Sequence, residues 1–365
     1  MMTMRCVVLT GTREISVQDR PVPTVRDGGD VIVRVSLAGL CGSELHTYRG
    51  HAGPQSGPIV MGHELVGEVV KVGADVKLWK QGDKVISPFS LSCGSCFYCD
   101  RSHTSRCEKQ TLLGTPAHDG AQAEYVRISM ADASLFRQPE DIPPQLSLLL
   151  ADIIPTGYSM AHLAHQILNI DKPSKEVSGV CVVIGCGPVS LLPDPPDPQV
   201  GLCAITAAKE KFQTVFATDL HPKRLKLATK HGATALPLAE LRTKLLEATE
   251  GRGADAVLEL VGHADALLTA TELVRPYGVI SSGGVHNQAL DLPGKVMYGK
   301  NIRMVFGRCS VRTFLPEAIR LLRANIDLFS TFVEEIVSVE KAAEYYERFE
   351  RNEIGKVAFR MTKGE

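Results

Sequence analysis

The 365-residue chain carries 40 Lys and Arg against 41 Asp and Glu, a formal net charge of -1, with 44% hydrophobic and 22% charged residues. That balance supplies no general attraction to nucleic acid or to an anionic membrane surface, and the apolar content excludes a disordered chain. The length suits two domains, and no run of about 18 apolar residues marks a membrane span, so a cytoplasmic protein with neither nucleic-acid nor membrane partners is expected.

The first third is rich in short Val and Ile runs, "VIVRVSLAG" and "GHELVGEVVKVG" among them, broken by glycines and by "GDKV". Short strands closed by such turns predict a β-rich, barrel-like domain. Within it "CGSELH" sets Cys41, Ser43 and His46 on one turn, and His63 and Glu64 follow in "GHELV". Each alone has an ordinary explanation as a small core cysteine, a turn serine or a hydrogen-bonding histidine. The next cluster is different. Cys93, Cys96, Cys99 and Cys107 have the spacing C-x2-C-x2-C-x7-C, which puts four thiolates on one glycine-containing loop and predicts a closed, structural zinc site. Free thiols or disulfides are the alternatives, but adjacent exposed thiols are prone to oxidation, and a reducing compartment disfavours disulfides. A zinc ribbon that reads nucleic acid would need a flanking basic and aromatic surface, which this loop lacks.

"ADIIPTGYSMAH" then brings Asp152 just ahead of Thr156, and from about residue 175 apolar strands alternate with amphipathic helices. This alternation predicts βαβ units and a parallel sheet. "VCVVIGCGPV" is a buried strand ending at Gly185, Gly187 and Pro188, a turn whose backbone amides and following helix N-terminus suit a pyrophosphate. Asp219, at the end of the next strand, can accept from ribose hydroxyls and disfavours a 2′-phosphate, so NAD is expected over NADP. Lys223 and Arg224 weigh the other way.

The spacing of this turn is irregular. Gly187 and Asp219 are 32 positions apart, against about 20 in dinucleotide-binding folds. Removing residues 189–199 leaves "GCGPVGLCAITAAKE", makes Gly201 the third glycine and shortens the interval to 21. Pro193, Pro195, Pro196 and Pro198 are unsuited to the first turns of a helix. Asp194 and Asp197 set negative charge where a pyrophosphate needs positive potential. The segment reads as an insertion. Valine codons begin GT and glutamine can be CAG, so a retained intron or splice variant would account for Val189 to Gln199. A folded, zinc-binding chain with impaired dinucleotide binding, a catalytically silent relative, is therefore one expectation.

Beyond about residue 305, "TFLPEAIRLLRANI", "EKAAEYYERFE" and "GKVAFRM" suggest a return to the first domain. The expected division is 1–153 with 305–365, and 154–304.

Taken together, the run from Gly62 to Val85, the four-cysteine loop, "PTGY", the glycine turn, "DLHPKRLKLA", "RPYGVISSGGVH" and "GKVAFRM" resemble the zinc-dependent medium-chain alcohol dehydrogenase family over nearly the whole chain. The aspartate of "ADIIPTGY" is most similar to the glutathione-independent formaldehyde dehydrogenase branch. The resemblance implies an α/β architecture, a GroES-like catalytic domain plus a Rossmann domain with a doubly wound parallel sheet. It implies two Zn2+ per chain, one held by Cys41, His63 and Asp152 with an open fourth position, the other by Cys93, Cys96, Cys99 and Cys107. A carboxylate donates less than a thiolate, so the open site would be at least as strong a Lewis acid as a cysteine version, and more easily emptied. Ser43 would accept the substrate proton, His46 would pass it on, and Glu64 would stand beside the metal. NAD would be held by Thr156, Gly185, Gly187, Pro188, Gly201, Asp219, Arg224 and Val261. The substrate would be a small alcohol, polyol or aldehyde, in a pocket built from loops around Tyr48, Phe89 and Leu112. The assembly would be a homodimer or homotetramer.

Overall fold

The computed structural model describes residues 2–51, 57–170, 179–186, 199–286 and 289–362. The chain divides into two compact units, residues 1–152 with 310–319 and 329–365, and residues 153–309 with 320–328. A single return at residue 305 is the sequence expectation. The chain instead comes back at Ser310 and lends residues 320–328 to the second unit. One reason is visible in the pairing, because Arg303–Phe306 is a full strand of the second unit's sheet.

In the first unit the alternating Val and Ile runs form the expected strands. Val31–Leu40 is central, with Leu65–Val72 antiparallel on one side and Lys356–Arg360 antiparallel on the other. Tyr125–Ile128 pairs with its first half. A separate three-stranded sheet is formed by Glu14–Pro21, Thr3–Gly11 and Ile59–Val60. Their inward residues, among them Val33, Val35, Leu65, Val69, Val357 and Phe359, bury a continuous apolar core with Tyr345, Tyr346 and Phe349. The pairing also fixes chemistry at one end of this sheet. Leu40 faces Val357 and Ala38 faces Leu65, so Cys41, Glu64 and Lys356, each one residue beyond these partners, emerge together.

The second unit is a six-stranded sheet ordered Thr234–Ala235, Thr214–Thr218, Val180–Ile184, Ala254–Glu259, Val274–Ser282, Arg303–Phe306, parallel throughout. Near-continuous apolar strands such as "VCVVI" are what a sheet covered on both faces requires. Counted along the chain this is the order 3-2-1-4-5-6 of a doubly wound fold, whose ligands bind outside the carboxyl ends of the strands. No helix among the described residues is long and apolar enough to cross a membrane.

Candidate active site and nucleotide turn

Cys41 ends the central strand and caps the helix Gly42–Tyr48 in extended backbone. Three residues into that cap, the Glu44 carboxylate turns back and accepts the Cys41 amide through Oε2 at 2.7 Å. Its other oxygen lies 2.8 Å from Nδ1 of His63. A carboxylate only accepts, so Nδ1 faces it as the donor side of the ring, and Nε2 lies on the opposite side, where it would be free to ligate once deprotonated. There it meets Asp152: Nε2 is 3.5 Å from Oδ2, and Oδ2 is 3.9 Å from the Cys41 sulfur. One ligand atom from each of Cys41, His63, Glu64 and Asp152 falls within 4.8 Å of the others. Tetrahedral zinc bonds of about 2.0–2.3 Å place neighbouring donors roughly 3.3–3.8 Å apart, so a thiolate, an imidazole and a carboxylate here match one metal.

The electrostatics point the same way. Burial works against a charged His63, yet Glu44, Asp152 and Cys41 outweigh it and raise its pKa well above the usual histidine value. The pocket favours a cation. Glu64 is fully buried and receives a hydrogen bond from Nζ of Lys356 at 2.8 Å. Burial raises the Glu64 pKa against the pull of Lys356 and His63, while Glu64, Cys41 and Asp152 hold the equally buried ammonium protonated.

Ser43 Oγ stands 3.5 Å from the Cys41 sulfur and 3.4 Å from His63 Nε2. His46 lies one turn along the same short helix, and its pKa is lowered by burial and then by Arg49 and His51. Phe89 sets the edge of its ring against His63, with centroids 6.2 Å apart. Tyr48 departs from expectation. It is 2% exposed and packs on Tyr346 in the core of this unit, because its position on the helix faces inward rather than toward the ligand cluster.

Sulfurs of Cys93, Cys96, Cys99 and Cys107 also fall within 4.8 Å of one another, with Cys93 and Cys99 4.0 Å apart, and all four are free. Backbone amides of Cys93 and Lys109 point at the Cys107 sulfur from 3.2 and 3.3 Å. Amides of Glu108 and Cys99 draw the Cys96 pKa down to about 6, whereas burial pushes Cys107 up to about 12. Four sulfurs in this geometry leave no open coordination position for a substrate.

In the second unit the strand Val180–Ile184 runs into Gly185, whose φ of 86° lies in the left-handed region. Gly187, Pro188 and residues 189–198 lie outside the described residues. The helix resumes at Val200, and a Cβ on Gly201 would overlap the Gly185 carbonyl. Gly201 thus fills the close-approach position assigned to a third glycine. Val261 packs at Gly185, where an added Cβ would meet its side chain. Thr156 is in the first turns of the helix Ile153–Leu168, which crosses the helix Val200–Lys209 closely at Gly157.

Asp219 is more heavily engaged than its sequence position implies. Its carboxylate accepts from the amides of Cys186 and His221, each at 2.9 Å, and from the Arg224 guanidinium at 3.2 Å, with the Asp219 side chain 4% exposed. It therefore braces the glycine turn and neutralises Arg224. Glu44 and Lys356 were not among the residues anticipated from sequence. Glu44 could have been found from the capping spacing of "CGSE", whereas Lys356 is close to the site only through strand pairing.

Residues 27–139 match the alcohol dehydrogenase GroES-like domain, and residues 200–324 match the zinc-binding dehydrogenase family. The chain is 42% identical to zinc-type alcohol dehydrogenase B of Aspergillus flavus over 98% of its own length and 81% of the relative's. It is 45% identical to a medium chain reductase/dehydrogenase of Acremonium sp over 79% of this chain and 95% of that one. Among solved structures, an alcohol dehydrogenase from Thermus sp. ATN1 superposes with a TM-score of 0.86 at 32% identity, covering 98% of this chain and 99% of that one.

Proposed function

The chain belongs to the zinc-dependent medium-chain alcohol dehydrogenase family, and from that premise we propose that it interconverts a small alcohol or polyol with its carbonyl compound, using NAD as hydride acceptor. The observation that carries this reading is the gathering of Cys41, His63 and Asp152 donor atoms with Ser43 Oγ at 3.4–3.5 Å from two of those residues. Cys41, His63 and Asp152 would hold a zinc ion, and Cys93, Cys96, Cys99 and Cys107 a second. Bound at the first set, zinc supplies a Lewis acid that makes a substrate hydroxyl easier to deprotonate.

The chain's own residues do the rest. Glu44 fixes the tautomer and ring plane of His63. Ser43 accepts the hydroxyl proton, and His46, whose pKa burial lowers, takes it onward. Bound NAD would supply the acceptor for the hydride of the substrate carbon, so two electrons and both hydrogens are accounted for. Glu64, held by Lys356, would stand beside the metal as the reserve carboxylate for a ligand exchange.

Asp219 supports NAD over NADP, since its negative charge stands at the end of the strand Thr214–Thr218, although Arg224 already pairs with it. The silent-relative alternative gains nothing from the geometry, in which Gly201 is seated against Gly185 and the helix starts at Val200. The test is turnover of a panel of primary alcohols, secondary alcohols and polyols with NAD and with NADP. NAD-linked oxidation of one class is expected. No oxidation with either nucleotide, in protein carrying zinc, would refute the reading.

A further inference from the structure

Among the described residues of the second unit, one buried side-chain nitrogen or oxygen lacks a hydrogen-bond partner: Nδ1 of His286. Buried polar atoms are rarely left unmet, and each exception calls for a physical reason. His286 follows the strand Val274–Ser282 at the carboxyl edge of the parallel sheet, and its side chain is 9% exposed.

The other ring nitrogen is firmly held. His286 Nε2 lies 3.1 Å from Oε2 of Glu259 and 3.0 Å from Oγ of Ser282, and Ser282 Oγ itself donates to that Oε2 at 2.6 Å. Oε1 of the same fully buried carboxylate accepts the amides of Val261 and Gly262, each at 2.7 Å. Because the carboxylate only accepts, Nε2 carries the hydrogen. A neutral imidazole then offers a bare lone pair at Nδ1. Glu259 and Ser282 act as positioning residues that fix the ring, and the tight approach of Gly284 to Gly262 holds the two loops together.

Strand order says which part of a dinucleotide would lie there. Asp219 ends the strand on one side of Val180–Ile184, while Glu259 and Ser282 end the two strands on the other side. With adenosine at Asp219 and the pyrophosphate over the glycine turn, the nicotinamide half extends across the ends of Ala254–Glu259 and Val274–Ser282. We propose that His286 Nδ1 accepts a hydrogen bond from the nicotinamide carboxamide N–H, making His286 a cofactor-binding residue that sets the orientation of the amide edge. This rests on the dinucleotide reading given above.

The probes are NADH and reduced 3-acetylpyridine adenine dinucleotide, whose acetyl group keeps the carbonyl and lacks the N–H. Their dissociation constants are measured on the full chain and on His286→Phe, with His286→Leu as the alternative should the first variant not fold. One neutral hydrogen bond corresponds to about threefold to tenfold in affinity. The preference for NADH over the analogue should therefore fall by about that factor in either variant, and His286→Gln, which keeps an acceptor and a donor, should retain part of it. An unchanged preference in a folded variant that binds NADH overturns this inference and leaves the dehydrogenase reading intact. Failure of the full chain to bind either dinucleotide overturns both.

Discussion

Lys356 donates to Glu64 across 2.8 Å at a point where the two side chains are 3% and 0% exposed, and Glu64 is itself one of four residues whose ligand atoms cluster within 4.8 Å. The residues are 292 positions apart, and the contact exists because their strands flank Val31–Leu40. Removing one partner of such a pair strands a charge without solvent, which costs about 3–5 kcal/mol, whereas replacing both with apolar groups is often close to neutral. Lys356→Met should therefore lower unfolding stability by about that amount, and Lys356→Met with Glu64→Leu should recover most of it. Urea unfolding of the two variants checks this. A double variant no more stable than the single one would show that the pair is not the source of the loss.

Glu44 would act on the proposed metal site through His63. Its Oε1 lies 2.8 Å from His63 Nδ1, and its Oε2 accepts the Cys41 amide. Outer partners of this kind typically account for about 10–100-fold in metal affinity. Glu44→Ala should weaken zinc at the Cys41 cluster by that order and leave the four-cysteine site unchanged. Titration against a competing zinc chelator reads both sites. Equal affinity in the variant and the parent would remove Glu44 from that role.

His231 gives the second unit a pH-dependent stability. Burial lowers its pKa from 6.5 to about 4, and Thr206 Oγ1 lies 2.8 Å from its Nδ1. Between these values the unfolded chain binds the proton and the folded chain does not. Stability from this group is therefore complete above about pH 6.5 and is lost as pH falls toward 4, by up to about 3 kcal/mol. Carboxylates contribute their own losses in acid, so the informative quantity is the difference from His231→Gln. The variant's stability should decline less steeply over pH 6.5–4, and parallel curves would contradict the assignment.

Much of this architecture is legible in the sequence because the signals are local. The C-x2-C-x2-C-x7-C spacing keeps all four sulfurs on one loop, and the alternation from about residue 175 leaves a parallel sheet as the natural outcome. The open cluster needs three separated segments, so Cys41, His63 and Asp152 become visible only through family resemblance. The placement of Gly201 against Gly185 follows from a spacing argument, since a helix beginning later in the chain still has to approach the same turn. What the sequence does not reveal is nonlocal pairing. Lys356 sits in an unremarkable final strand, Glu259 and His286 belong to different strand ends, and the partners that Asp219 finds in Cys186, His221 and Arg224 are not visible from its place at a strand end. Tyr48 itself lies on the core face of its seven-residue helix, and sequence proximity to Cys41 does not say which face that is.

The most direct test of the central claim joins metal content to turnover in one preparation. Four thiolates would enclose one zinc, while the Cys41–His63–Asp152 set would leave the other open to exchange and more weakly held by a carboxylate. Zinc is counted and NAD-linked alcohol oxidation measured before mild chelation, after it, and after zinc is restored. The account predicts that two zinc ions fall to one, that oxidation disappears with the first ion lost, and that added zinc returns both. Oxidation that survives loss of the labile ion, or release of both ions together, would contradict it.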